Sequence, residues 1–254
     1  MIAVAGFLIA VMVGMTGVGG GVLTVPVLML LFGVDPLKAV GAALIFAAAI
    51  KLILVPLVAF RGQVNWRVLG WMLLGGTPGV FIGGFAIRSL AAAGAKSYVQ
   101  FLLGLIVLTA ASLQLRYALM AARERNAVPS SVRDRRRLLG FLMSFVGAEV
   151  GFSSAGAGAL GSVALLSFTR LNPLEVVGTD LAFGLVLSTL AGGLHLSFGN
   201  VDRELVMQLL AGGLPGAICG SLLASQVSPR GLKLVLSTSL IGIGINLCWQ
   251  AVAR

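Results

Sequence analysis

Four ionisable residues sit inside long apolar stretches: Lys51, Glu149, Asp180 and His195. A charge at membrane depth is expensive, so each is a candidate for chemistry with ions or protons. Lys51 lies midway along the apolar segment 36–60, about 15 residues or ~22 Å from its start. It reads as a fixed positive charge that attracts an anion; snorkelling to the nearer interface is the competing reading. Asp180 falls in the second turn after Pro173, where an acid either complements a helix N-terminus or relays a proton. Glu149, deep in the segment before a glycine-rich stretch, is either a proton-coupling carboxyl or an interfacial one. His195 lies about 15 residues beyond Asp180, ~22 Å along a helix and too far to touch it. It is expected near a helix end, bonded to the following loop, in a structural or gating role. With no nearby Cys or Glu it makes no metal site.

Two glycine-rich runs interrupt the apolar segments: Gly14-Met-Thr-Gly-Val-Gly-Gly-Gly-Val-Leu-Thr-Val-Pro26 and, in degenerate form, residues 151–163. Glycine-dense backbone at membrane depth leaves peptide groups unpaired, which is tolerated where they line a protein-enclosed cavity. The N–H groups of Gly19, Gly20, Gly21, Gly156 and Gly158, with the hydroxyls of Thr16, Thr24, Ser153, Ser154 and Ser162, could hold a small oxyanion between two facing breaks. Singly, each hydroxyl is as well explained by re-satisfying freed backbone groups.

Composition sets the class. Of 254 residues, 58% are hydrophobic and 10% charged, against roughly 25% charged in soluble domains. Mean hydropathy is +1.05, and the chain reads as an all-α polytopic membrane protein. The net charge of +10 comes from loop residues rather than a basic stripe, which excludes nucleic acid as a partner. Cys219 and Cys248 stand far apart in apolar sequence and read as small core residues. There is no Gly-x-Ser-x-Gly elbow, His-Glu-x-x-His or P-loop, so the chain reads as neither an enzyme nor an ATP-driven pump, and no cofactor is expected. Residues 1–32 lack a charged leader region and are read as structure rather than a signal peptide.

A constant offset of 137 aligns residues 14–84 with 151–221 without gaps. Pro36-Leu37 falls on Pro173-Leu174, Gly62-Gln-Val-Asn65 on Gly199-Asn-Val-Asp202, and the Gly-Gly-x-Pro-Gly runs 75–79 and 212–216 coincide. Shared glycines and prolines predict the same bends twice. The organisation is therefore two homologous repeats, 1–119 and 138–254, joined by a basic linker 120–137 expected in the cytoplasm. Each repeat holds four apolar segments, about eight in all: 2–32, 36–60, 67–90 and 96–119, then 138–169, 173–198, 203–226 and 230–252. The first of each is broken or re-entrant. If the broken segments cross once, the repeats are parallel; if they return, the repeats are inverted. Lysine and arginine counts of 12 inside and 5 outside (inverted) or 11 and 6 (parallel) do not separate these, and the inverted plan is preferred because transporters built on broken helices use it. Asp35-Pro36 and Asn172-Pro173 each place a capping side chain before a proline at the first helical position, marking loop-to-helix entry at the membrane surface. The Gly-Gly-x-Pro-Gly runs read as packing or hinge devices.

Gly17-Val-Gly-Gly-Gly-Val-Leu-Thr-Val-Pro26 and Val40-Gly-Ala-Ala-Leu44 in the first half resemble the TauE/SafE sulfite exporter family, as do Val177-Gly-Thr-Asp-Leu181, Gly193-Leu-His195 and Gly199-Asn-Val-Asp202 in the second. The resemblance covers about residues 5–250. It implies a bacterial inner-membrane permease for sulfite, sulfoacetate or other organosulfur anions, with a fold duplicated from a four-segment unit. The family shows Gly-Thr in both halves, whereas here Gly41-Ala42 stands against Gly178-Thr179; if the Thr179 hydroxyl touches substrate, the first half-site is less polar and the substrate differs. The leading expectation is a secondary transporter, an exporter coupled to protons through Asp180 or Glu149, with Pro36, Pro173, His195 and Asp202 structural or gating. A passive anion channel and a cation transporter remain open alternatives. Expected partners are the small anion and the lipid bilayer, with a homodimer left open.

Overall fold

The computed structural model describes residues 1–16, 20–123, 136–155, 158, 160–223 and 229–252. These form ten helices: α1 (Ile2–Thr16), α2 (Gly20–Phe32), α3 (Pro36–Phe60), α4 (Trp66–Ala92), α5 (Lys96–Arg123), α6 (Arg136–Ser153), α7 (Leu160–Phe168), α8 (Pro173–Ser197), α9 (Arg203–Leu223) and α10 (Pro229–Val252). Five helices in the described residues are long and apolar enough to cross a membrane: α3, α4, α8, α9 and the Lys96–Arg116 part of α5.

Each glycine-rich run ends one helix and begins another. At ~1.5 Å per residue, α1 and α2 are about 22 and 20 Å long and α7 about 13 Å, all short of a ~30 Å hydrocarbon core. The surface starts are capped. Asp35 accepts from Leu37 N–H ahead of Pro36. Asn172 and Glu175 form a reciprocal capping box ahead of Pro173.

Glycine stripes set the packing. Along α4, a Cβ at Gly75, Gly79 or Gly83 would strike the α6 backbone at Gly140, Ser144 or Ala148. Along α9, Gly212, Gly216 and Gly220 meet α1 at Ala3, Phe7 and Val11 in the same way. Residue numbers rise together in both interfaces, so α4 runs parallel to α6 and α9 parallel to α1. The opposite order holds for α3 and α8, where Gly41 meets Asn200 while Gly178 meets Gln63. It holds too for α5 and α10, where Gly244 meets Leu108 and Gly104 meets Leu247. Gly76 and Gly213 face the rings of Phe183 and Phe46, both fully buried on α8 and α3. Helix association in lipid depends on such close backbone approach. Gly75→Ala should therefore destabilise by about 1–3 kcal/mol through overpacking. Gly70→Ala on the same helix, where a Cβ meets nothing within 4 Å, should leave the melting temperature of the purified protein unchanged or raise it.

Candidate functional site

The two breaks touch. A Cβ on Gly21, in the first turn of α2, would fall on the carbonyl oxygen and hydroxyl of Ser154, just past the end of α6. Ser154 holds a left-handed backbone (φ 64°), unusual for a residue with a side chain. It is 6% exposed, and its Oγ is buried without a hydrogen-bond partner among the described residues. That hydroxyl lies against a helix start whose first N–H groups have no intrahelical acceptor. Gly20 and Gly21 are buried. Thr24 closes inward, its Oγ1 donating to Gly20 O at 2.7 Å. Ser153 Oγ donates to Glu149 O at 2.9 Å and accepts from Ala155 N–H at 3.2 Å, so it is consumed in ending α6. Gly158 lies in a turn ahead of α7. Thr16 ends α1, while Gly19, Gly156 and most of the linker lie outside the described residues.

Three of the four ionisable groups, Lys51, Asp180 and His195, lie on the long antiparallel helices α3 and α8, and Glu149 lies on α6. Lys51 on α3 is 3% exposed and donates from Nζ to Ser188 Oγ on α8 at 3.2 Å. Asp180, in the first half of α8 and eight residues before Ser188, lies within electrostatic reach of the ammonium. The Asp180 Oδ2 accepts from Ser162 Oγ at 2.7 Å, and its Oδ1 lies against Gly161, both in the first turn of α7. Glu149 contrasts with it: both carboxylate oxygens are buried with no hydrogen-bond partner among the described residues. Ser188 was not singled out from the sequence, although the 137-residue offset places it at the position equivalent to Lys51.

The sequence profile of the sulfite exporter TauE/SafE family matches residues 2–247. The chain belongs to this family. It is 31% identical over 250 residues to "Probable membrane transporter protein YjnA" of Bacillus subtilis, covering 97% of this chain and 98% of that one. A "Probable membrane transporter protein" of Xylella fastidiosa is 28% identical over 257 residues, covering 98% of this chain and 94% of its own. No solved structure is significantly similar. This TauE/SafE protein is a multi-pass membrane transporter.

His195 differs from expectation in its partner. Its ring is fully buried and Nε2 donates to Gly151 O at 3.0 Å, across to α6 rather than to the following loop. The reason is local: Ala155 N–H, which would ordinarily serve Gly151 O, turns to Ser153 Oγ, and the ring supplies the missing donor. The segment after α8 is met by the His195 backbone carbonyl, which accepts from Asn200 N–H, and by the ring's packing against Phe198. The Thr179 hydroxyl accepts Asn65 N–H at 3.0 Å, tying the start of α8 to the start of α4. Ala42, its first-half counterpart, has no such group to offer, so the Gly-Ala departure removes one inter-helix tie.

Asp202 lies at the face opposite the linker. It accepts Leu205 N–H at 3.3 Å and pairs with Lys38 at 3.5 Å beside a second pair, Lys96–Asp35 at 3.1 Å. A surface cavity of about 380 Å³ opens there, lined by Asp35, Lys38, Asp202, Glu204 and Gln208. The Leu205 N–H foremost, with Lys38 adding to it and desolvation opposing, holds the Asp202 carboxyl below the usual carboxylate range. A depressed folded value means its stabilising contribution is present above the ordinary Asp range and is lost as pH falls through the folded value. Asp202→Asn should therefore lower the melting temperature slightly at neutral pH and flatten the acid limb of a melting-temperature-against-pH curve, with the two proteins converging at low pH.

Proposed function

We propose that this protein is a secondary transporter carrying small sulfur-containing anions, such as sulfite or an organosulfonate, outward across the bacterial inner membrane in exchange with or alongside protons. The observation that carries this reading is the meeting of Gly21 and Ser154. A helix start and an unpartnered buried hydroxyl face each other at two breaks in the membrane region. Backbone N–H groups at a helix start, with a hydroxyl free to donate, suit an oxyanion. The family's description as sulfite exporter supplies the substrate class.

The architecture proposed is two inverted repeats rocking about the site. What supports it is the pairing of helices. Exchanging residues by 137 turns Gly75–Gly140 into Gly212–Ala3, Gly76–Phe183 into Gly213–Phe46 and Gly41–Asn200 into Gly178–Gln63, and turns Lys51–Ser188 into itself. The antiparallel α3–α8 and α5–α10 pairs give equivalent helices opposite directions. With α1–α2 and α6–α7 as re-entrant hairpins, twelve of the Lys and Arg residues fall on the linker's side and five on the other, which supports a cytoplasmic linker. Of the two acids, Glu149 is the proton carrier in this scheme, because Asp180 is held by Ser162 and Lys51.

Proteoliposome uptake of radiolabelled sulfite, sulfate and a small sulfonate, with and without a pH gradient, tests the proposal. Saturable flux driven by the gradient is expected, with Glu149→Gln retaining exchange but losing the gradient's drive. Flux indifferent to the gradient in the wild type would establish a passive channel instead, and absence of flux for all three anions would remove the substrate class.

A further inference from the structure

The two half-helix starts at the breaks are built differently. The start of α7 already holds a carboxylate: Ser162 Oγ donates to Asp180 Oδ2 at 2.7 Å, and Gly161 leaves the room that Oδ1 occupies. Asp180 is 3% exposed, and Lys51, also 3% exposed, is within its field. The equivalent of Asp180 in the first half is Ala43, which is fully buried and carries no charge, and the equivalents of Gly161 and Ser162 are Thr24 and Val25. Thr24 turns its hydroxyl back to Gly20 O rather than toward α3. Among the described residues the start of α2 thus has no resident anion, and the buried hydroxyl beside it, Ser154 Oγ, has no hydrogen-bond partner.

Resting on the transport reading above, we propose that Asp180 is a built-in anion that permanently occupies the start of α7, one of the two half-helix starts at the breaks, so that a single substrate anion binds, at the start of α2 beside the Gly21–Ser154 contact. Asp180 also balances Lys51, which makes the ammonium a fixed part of the α3–α8 interface rather than the group that draws in cargo. One acid present in one half and absent from the other then sets both the number of anions carried and where they bind.

The test uses full-length protein in nanodiscs. Asp180→Ala opens the resident position, so formate, a free carboxylate of the same chemistry, should raise the variant's melting temperature saturably while leaving the wild type unmoved. Adding Ser162→Ala should weaken that rescue. Ala43→Asp installs a carboxylate beside α2 and should reduce sulfite binding about tenfold by like-charge repulsion in a low-dielectric site. A folded Asp180→Ala variant that formate does not stabilise overturns the resident-anion assignment. Rescue by formate together with undiminished sulfite binding by Ala43→Asp overturns the single-site assignment. Should wild type bind no sulfite, the transport reading fails, while the formate result still decides the role of Asp180. If Asp180→Ala does not fold, Ala43→Asp carries the decision through its binding constant, measured on protein shown to be folded by its melting curve.

Discussion

Gly21→Val should abolish sulfite transport while leaving the protein folded. The valine Cβ falls on the Ser154 carbonyl and hydroxyl, so the two breaks must separate to admit it. Overpacking of this kind costs about 1–3 kcal/mol, up to roughly a hundredfold in affinity when the strain is relieved only by losing the bound state. The large interfaces of the fold, α1 on α9 and α4 on α6, lie elsewhere. Thermal melting should therefore shift little while radiolabelled uptake in proteoliposomes falls to background. An unfolded variant would show that the contact between breaks is structural first.

Lys51→Met should destabilise the protein. Removing the ammonium takes the donor from buried Ser188 Oγ and an opposite charge from the field of Asp180, and losses of this kind typically cost about 1–3 kcal/mol. Here Asp180 would keep its hydrogen bond from Ser162 but lose the field of the ammonium. The double variant Lys51→Met/Asp180→Asn removes both charges and should recover most of the lost melting temperature. It should not recover transport, because the field around the breaks has changed. Equal destabilisation by the single and double variants would mean that Lys51 and Asp180 do not act as a pair.

Much of this arrangement was legible in the residues. Gly-Gly-x-Pro-Gly at 75–79 and 212–216 announced close helix packing, and the structure places Gly75, Gly79, Gly212 and Gly216 against neighbouring backbone. Asp35-Pro36 and Asn172-Pro173 announced helix starts, because a capping side chain before proline has few other local uses. The glycine runs announced the breaks. Long-range partners were less readable. No local pattern says that His195 reaches the end of α6, since the vacancy it fills is created by Ser153 intercepting Ala155 N–H. The different roles of Asp180 and Glu149 were also hidden: both are lone acids in apolar sequence. Only the fold supplies Ser162 and Lys51 to one and no hydrogen bond to the other.

The most direct test of the account is equilibrium binding of radiolabelled sulfite to purified wild-type protein, Ser154→Ala and Thr109→Ala. Thr109 carries a hydroxyl on α5 that bonds only its own helix at Ile106 O. Losing a hydrogen bond to a charged group costs about 1.5–3 kcal/mol, so Ser154→Ala should weaken binding roughly ten- to a hundredfold while Thr109→Ala binds as wild type. Undiminished binding by Ser154→Ala would contradict the placement of the anion between the two breaks.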